Sequence, residues 1–207
     1  MSAPVVWTVD RYQDKIYELD PDDLSQIRND DTPYTNPAGC GGDDSIIYHT
    51  DYGVDKFAKI DPTSLSTILI TNSLSTGCYG IGGDANIVWH CETYYDEAHE
   101  LDPDDLSEIR GSSTPGTSAY GIGGDANVIW HCDYNGNKIY ELDTDDFSVV
   151  RYDDSPLPSI RGIGGSADVI YICGDSLDRV SILSTTDFST DYYASAPNGV
   201  PYGIGGK

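Results

Sequence analysis

Three sets of side chains in this sequence could do chemistry, and all three recur at one spacing. His49, His90 and His131 stand 41 residues apart, as do Cys91, Cys132 and Cys173, and as do Asp43, Asp84 and Asp125. Histidines and thiolates suit a transition metal, and converging carboxylates suit calcium. The common spacing argues against both. Equivalent positions of a unit repeated about an axis point in parallel directions, so ligands at one position do not converge. Each His is therefore expected to be buried and bonded to the backbone of a neighbouring unit. The Asp set, continued by Ser166 and Lys207, reads first as a turn residue accepting backbone N–H groups, with a cation-binding ring as the alternative. His99 replaces Tyr17, Ala58, Tyr140 and Ser181 of the other units and reads as incidental. No metal and no cofactor is expected.

The elements that position these residues follow from the repeat. Gly80-Ile81-Gly82-Gly83 returns at Gly121, Gly162 and Gly203, with Gly39-Cys40-Gly41-Gly42 as an altered copy. A period near 40 built from short strands marks a β-propeller blade. The expected fold is all-β: a five-bladed β-propeller with four antiparallel strands per blade. Residues 39–79, 80–120, 121–161 and 162–202 are four units. The fifth joins residues 3–38 to 203–207, so that the N- and C-terminal strands pair in one blade and close the ring. One domain then spans residues 1–207. In the clearest unit the strands are placed at Tyr120 to Gly124, Val128 to Asp133, Lys138 to Asp143 and Phe147 to Tyr152. Trp7, Tyr48, Trp89, Trp130 and Tyr171 share a column and are expected to pack between blades. Ile16 and Leu19, with their equivalents, should face opposite neighbours.

Composition narrows the partners. Thirty-five acidic residues against 11 basic give a formal charge of −24, which disfavours nucleic acid and anionic membranes. No apolar stretch is long enough to insert in a bilayer, and no signal-peptide pattern precedes the first strand. The five cysteines are expected to be free thiols. Residues one blade apart lie about 10 Å from each other, beyond the roughly 7 Å that a disulfide spans. Synthesis in a reducing compartment fits this. The chain is expected to be monomeric as an isolated domain.

The pattern N-x-I-x-x-L-D-x-x-x-F/L-S-x-I, as in Asn137-Lys138-Ile139 through Val150, resembles the blades of NHL and YncE-like propellers. The whole chain resembles five-bladed propellers with nearly identical repeats found in bacteria and their phages. That resemblance implies a host-specificity role on a phage tail. No motif of a five-bladed glycosidase is present, the inner strands offer mainly Gly and Ile, and no Ser-His-Asp set can be placed. The chain is therefore read as non-enzymatic.

Divergence between units locates the site. The turns at Asp84-Ala85-Asn86 and Asp102-Pro103-Asp104-Asp105 recur almost unchanged, whereas the loops between strands two and three and between blades differ. Antiparallel connectivity gathers the variable loops on one face. They are rich in Tyr, Ser, Thr, Asn and Gly, which give rigid stacking surfaces and adaptable hydrogen bonds. The candidate ligand-binding residues are Tyr12, Tyr52, Tyr94, Tyr95 and Tyr134, with Tyr79, Tyr120, Arg161 and Tyr202 around a channel mouth. Sugar rings that stack on Tyr suit this face, so the expected ligand is a glycan or cell-surface receptor. Arg161 is expected to hold an acidic sugar. A protein-interaction platform is the alternative.

Overall fold

The computed structural model describes residues 4–174, 176–197 and 199–206. Twenty strands form five four-stranded sheets. Blade 1 consists of Pro201–Gly206, Val6–Asp10, Lys15–Leu19 and Gln26–Asp31, from the axis outward. The C-terminal strand pairs antiparallel with the N-terminal one, Val6 facing Gly206 and Thr8 facing Ile204. Blade 3 is Cys78–Asp84, Ile87–Glu92, Glu97–Leu101 and Glu108–Ser113, and blade 4 is Ala119–Asp125, Val128–Asp133, Lys138–Leu142 and Val149–Asp154. Blades 2 and 5 repeat the plan, from Pro37–Gly42 to Thr67–Asn72 and from Ile160–Gly165 to Thr190–Ser195. The expected continuation of the Asp43 column to Lys207, and residue 3 at the start of the fifth unit, lie outside the described residues.

Glycine sets the radius of the ring. A Cβ on Gly41, Gly82, Gly123, Gly164 or Gly205 would lie 2.8–3.1 Å from the Cα of its counterpart in the next blade. Between these glycines, Cys40, Ile81, Ile122, Ile163 and Ile204 are buried and fill the wedge between inner strands. The axial space that they line has a volume of about 0 Å³, so the expected channel is closed.

Further out, each wedge is filled by the aromatic column. Trp7 Nε1 donates to Asp43 O at 3.3 Å, Tyr48 Oη to Asp84 O at 3.0 Å, Trp89 Nε1 to Asp125 O at 3.3 Å and Trp130 Nε1 to Ser166 O at 2.9 Å. Every one of these bonds crosses to the next blade. Ile16 packs towards blade 2 with Ile47 and Ile60, while Leu19 packs towards blade 5 with Tyr171 and Val180. At the rim, Arg28 pairs with Glu18, stacks 5.7 Å from Trp7 and donates to Pro62 O and Thr63 O of blade 2. Arg110 and Arg151 repeat this staple into blades 4 and 5. Lys59 substitutes for it between blades 2 and 3, donating to Pro103 O at 2.6 Å.

The turn before the outer strand departs from expectation. Phe147 does not begin that strand: it sits in the turn at φ +62° and is 5% exposed. Leu24, Leu106 and Phe188 are equally buried at φ 55–62°. The left-handed residue turns its side chain back into the wedge, and the strand starts two positions later, at Val149.

All five cysteines are reduced and buried, and burial raises the thiol pKa of Cys40, Cys78, Cys91 and Cys132, that of Cys78 to about 12. The histidine column is buried as expected, but its bonds stay within the blade. Nδ1 of His49, His90 and His131 lies 3.0, 2.7 and 3.0 Å from the carbonyls of Gly39, Gly80 and Gly121 on the inner strand beside it. Nδ1 must therefore carry the proton, which leaves Nε2 bare. Burial lowers the three pKa values to about 4, 3 and 4.

Two outcomes are expected from this architecture. Deleting residues 202–207 exposes the edge of Val6–Asp10 and removes one inner strand, which should produce aggregation visible by size-exclusion chromatography with light scattering. The depressed histidine pKa values mean that the unfolded chain binds protons more readily below pH about 6.5. Their stabilisation is present above that pH and is lost as pH falls towards 4, whereas Asp10, Asp51 and Glu92, raised chiefly by burial, have the opposite sign. Thr8 donates to Gly203 O at 2.7 Å in the equivalent position. Replacing the three histidines with Thr should therefore flatten the fall in urea midpoint between pH 7 and 4.

Candidate functional site

Three of the variable loops stand on a carboxylate at the end of the second strand. Asp10 Oδ1 accepts the N–H groups of Tyr12 and Gln13 at 2.8 and 3.0 Å, and Asp51 Oδ1 those of Gly53 and Val54 at 2.9 and 3.1 Å. Asp133 Oδ1 accepts Asn135 N–H at 3.1 Å. Each hairpin then closes through a left-handed Asp or Asn, at Asp14, Asp55, Asp96, Asn137 and Asp178, a conformation these residues tolerate. The loops are thus built alike at their roots and differ at their tips.

Above the closed axis, seven side chains form an unbroken ring. Tyr52 packs tilted against Tyr79 at 5.0 Å, Tyr79 tilted against Tyr120 at 4.3 Å, and Tyr120 stacks on Tyr134 at 4.8 Å. Arg161 continues it, 4.5 Å from Tyr134 and 4.3 Å from Tyr202. Arg11 completes it, 4.8 Å from Tyr202 and 5.1 Å from Tyr52. Burial opposes the charge of Arg11, but its bonds to Tyr79 and Tyr202 raise its pKa overall. Burial likewise raises the pKa of Tyr79 and Tyr202, so both phenols stay neutral.

Six of the nine candidate residues therefore meet in one cluster, and the other three stand apart. Tyr12, Tyr94 and Tyr95 project from the loop tips at 75%, 71% and 60% exposure, with Tyr94 and Tyr95 in edge contact at 5.0 Å. Tyr79 and Tyr202 are 8% and 7% exposed and serve as the floor. Arg11 was not among the candidates. It lies in a variable loop beside Tyr12, and only its reach across the axis to blade 2 shows its role. Between blades 2 and 3 the loops leave a groove of about 530 Å³, walled by Tyr52, Tyr79, Tyr94 and Tyr120, with Asp55 and Thr93 as polar groups.

The opposite face is accounted for by turns. Asp43 Oδ1 accepts the N–H groups of Ser45 and Ile46 at 2.8 and 3.1 Å, and Asp84 and Asp125 accept those of Asn86 and Asn127, each at 2.8 Å.

This architecture makes the chain a five-bladed β-propeller. No protein-family model and no characterised protein sequence matches it. A chain from a crystal structure of a nidogen/laminin complex superposes with a TM-score of 0.71 at 12% identity, covering 99% of this chain and 98% of that one. Glutaminyl cyclase of Myxococcus xanthus gives 0.60 at 10% identity over 76% of each chain. BamB of Moraxella catarrhalis gives 0.52 at 12%, over 93% of this chain and 62% of its own. At these identities the likeness is one of fold.

The ring and the loop tips should respond differently to substitution. Arg11→Ala removes a cation held between two rings and should cost about 1–2 kcal/mol, lowering the melting temperature by roughly 2–8 °C. Tyr94→Ala with Tyr95→Ala should stay within about 0.5 kcal/mol per site. Thermal and urea melts of the two variants test the contrast.

Proposed function

We propose that the chain is a non-catalytic recognition module whose divergent face binds a glycan, free or carried on a cell-surface receptor. The observation that carries this reading is the groove between blades 2 and 3, where Tyr walls meet Asp and Thr groups beside the projecting Tyr94 and Tyr95. A sugar presents a C–H face to such rings and hydroxyls to such polar atoms. The rigid floor beneath the groove lowers the ordering cost of binding. Both arginines stack on Tyr rings within an acidic chain, which favours a neutral sugar over an acidic one. A host-specificity domain of a phage tail, as the resemblance implies, is one setting for such a surface, and bacterial adhesion is another.

A protein partner is the second reading. Val54, Leu74 and Leu177 are 44%, 37% and 46% exposed in the same loops, and one structural neighbour comes from a nidogen/laminin complex.

A glycan array probed with the purified chain tests the first reading. Neutral glycans should be retained, and the Tyr94→Ala, Tyr95→Ala variant should lose at least about tenfold in affinity, the scale of one stacked contact of 1–3 kcal/mol. A blank array, with cell-surface binding that survives enzymatic deglycosylation, would favour the protein partner instead.

A further inference from the structure

Blade 3 departs from the other four at five positions, and all five meet at one place. Glu92 ends the second strand where other blades carry Asp10, Asp51, Asp133 and Gly174. Glu97 opens the third strand where the others carry Lys15, Lys56, Lys138 and Arg179, a reversal of charge. His99 follows two residues later, and Glu108 stands where the outer strands elsewhere have Gln26, Thr67, Val149 and Thr190. Gly111 lies opposite His99, whereas the matching residues Asn29, Ile70, Tyr152 and Tyr193 all bear side chains. A Cβ at Gly111 would stand 2.6 Å from His99 Nδ1 and 2.9 Å from Glu108 Oε1. The glycine makes the room that the cluster occupies.

We infer that Glu92, Glu97 and His99 form a binding site for a divalent transition-metal ion such as zinc, with Glu108 orienting the imidazole. His99 Nε2 lies 3.6 Å from Glu92 Oε1 and 3.9 Å from Glu97 Oε2, and one atom from each of the three residues falls within 4.8 Å of the others. Ligands on a tetrahedral zinc, with bonds of about 2.0–2.2 Å, stand about 3.3–3.6 Å apart, so small side-chain adjustments suffice. A shared proton would draw the same atoms to about 2.7–2.9 Å.

The orientation of the imidazole is the second observation. Its Nδ1 lies 2.9 Å from Glu108 Oε1, so Nδ1–H donates there and the Nε2 lone pair faces the two carboxylates. This is the carboxylate–histidine–metal arrangement by which proteins fix a ligating tautomer. Glu92 and His99 are 2% and 5% exposed, and Glu92 Oε2 and His99 Nε2 are buried atoms with no hydrogen-bond partner. The Glu97 side chain is 43% exposed, which opens a path for the ion and a position for water. In blades 1, 2 and 4 the Lys at this position bonds the outer strand, Lys15 to Asp31, Lys56 to Asn72 and Lys138 to Asp154. Glu97 faces Ser113 there instead.

The site lies at the root of the loop that carries Tyr94 and Tyr95, and its two glutamates flank that loop. The inference does not depend on what the loop binds.

Titration of chelator-treated, metal-free protein with Zn²⁺ in a calorimeter tests it, alongside visible absorption of the Co²⁺ form. One equivalent should bind, and Co²⁺ should show the intense bands of a low-coordinate site. Glu97→Lys restores the residue type of the other blades and should abolish this binding with the melting temperature kept, and His99→Gln should abolish it too. Glu108→Gln should weaken it about 10–100-fold. No stoichiometric uptake, or uptake unchanged in Glu97→Lys and His99→Gln, would overturn the assignment.

Discussion

Everything in this ring rests on how closely five backbones approach at the axis. With Cα atoms about 3 Å from where a Cβ would stand, a single methyl group on the facing surface would force the blades apart. Glycine alternates with Cys40 or isoleucine along each inner strand, so one side yields space while the other fills the wedge beside it. The wedges widen outward, and the residues widen with them: isoleucine, then Trp or Tyr, then a cation spanning the rim. A long Arg belongs at the rim because only there is the gap wide enough for a guanidinium to stack on Trp and still reach the next turn.

The same geometry divides the two faces. The turns beside the Arg staples supply carbonyl acceptors, so their shape is tied to a neighbour and they repeat. Three of the opposite loops are held at their roots by an Asp accepting the first N–H groups, and the loop tips differ. Near the axis Arg11, Tyr52 and Tyr134 from three of these loops meet Tyr79, Tyr120, Arg161 and Tyr202 of the inner strands, which makes one continuous layer of Tyr and Arg.

What could be read directly from the residues was whatever repeats. The strand order, the closing strand at Pro201–Gly206 and the aromatic column all follow from columns 41 residues apart. Residues acting alone were harder to place. Phe147 has the composition of a strand residue, and only its left-handed backbone shows that it closes a turn. The direction of the histidine bonds depends on a rotamer, because the inner strand of the same blade and the neighbouring blade both offer carbonyls. Arg11 acts across two blades from its loop. His99 looked isolated because its partners lie on three strands, and they come together only once Glu97 faces Ser113 and His99 faces Gly111. A blade that breaks several columns at once was the available sign, and it becomes legible when the strands are set side by side.

The rim staples also run out. Blade 5 carries Ile182 and Tyr192 where blades 1, 3 and 4 place Glu and Arg and blade 2 places Lys59 and Leu69, so no cation from those positions crosses to blade 1. That junction relies on the apolar cluster of Tyr17, Leu19 and Leu24 against Tyr171, Cys173 and Val180. The five junctions are therefore thermodynamically unequal despite their shared geometry. The junction beside the blade that holds both chain ends has its apolar cluster without such a staple, while the others add a cation that reaches a carbonyl of the next blade.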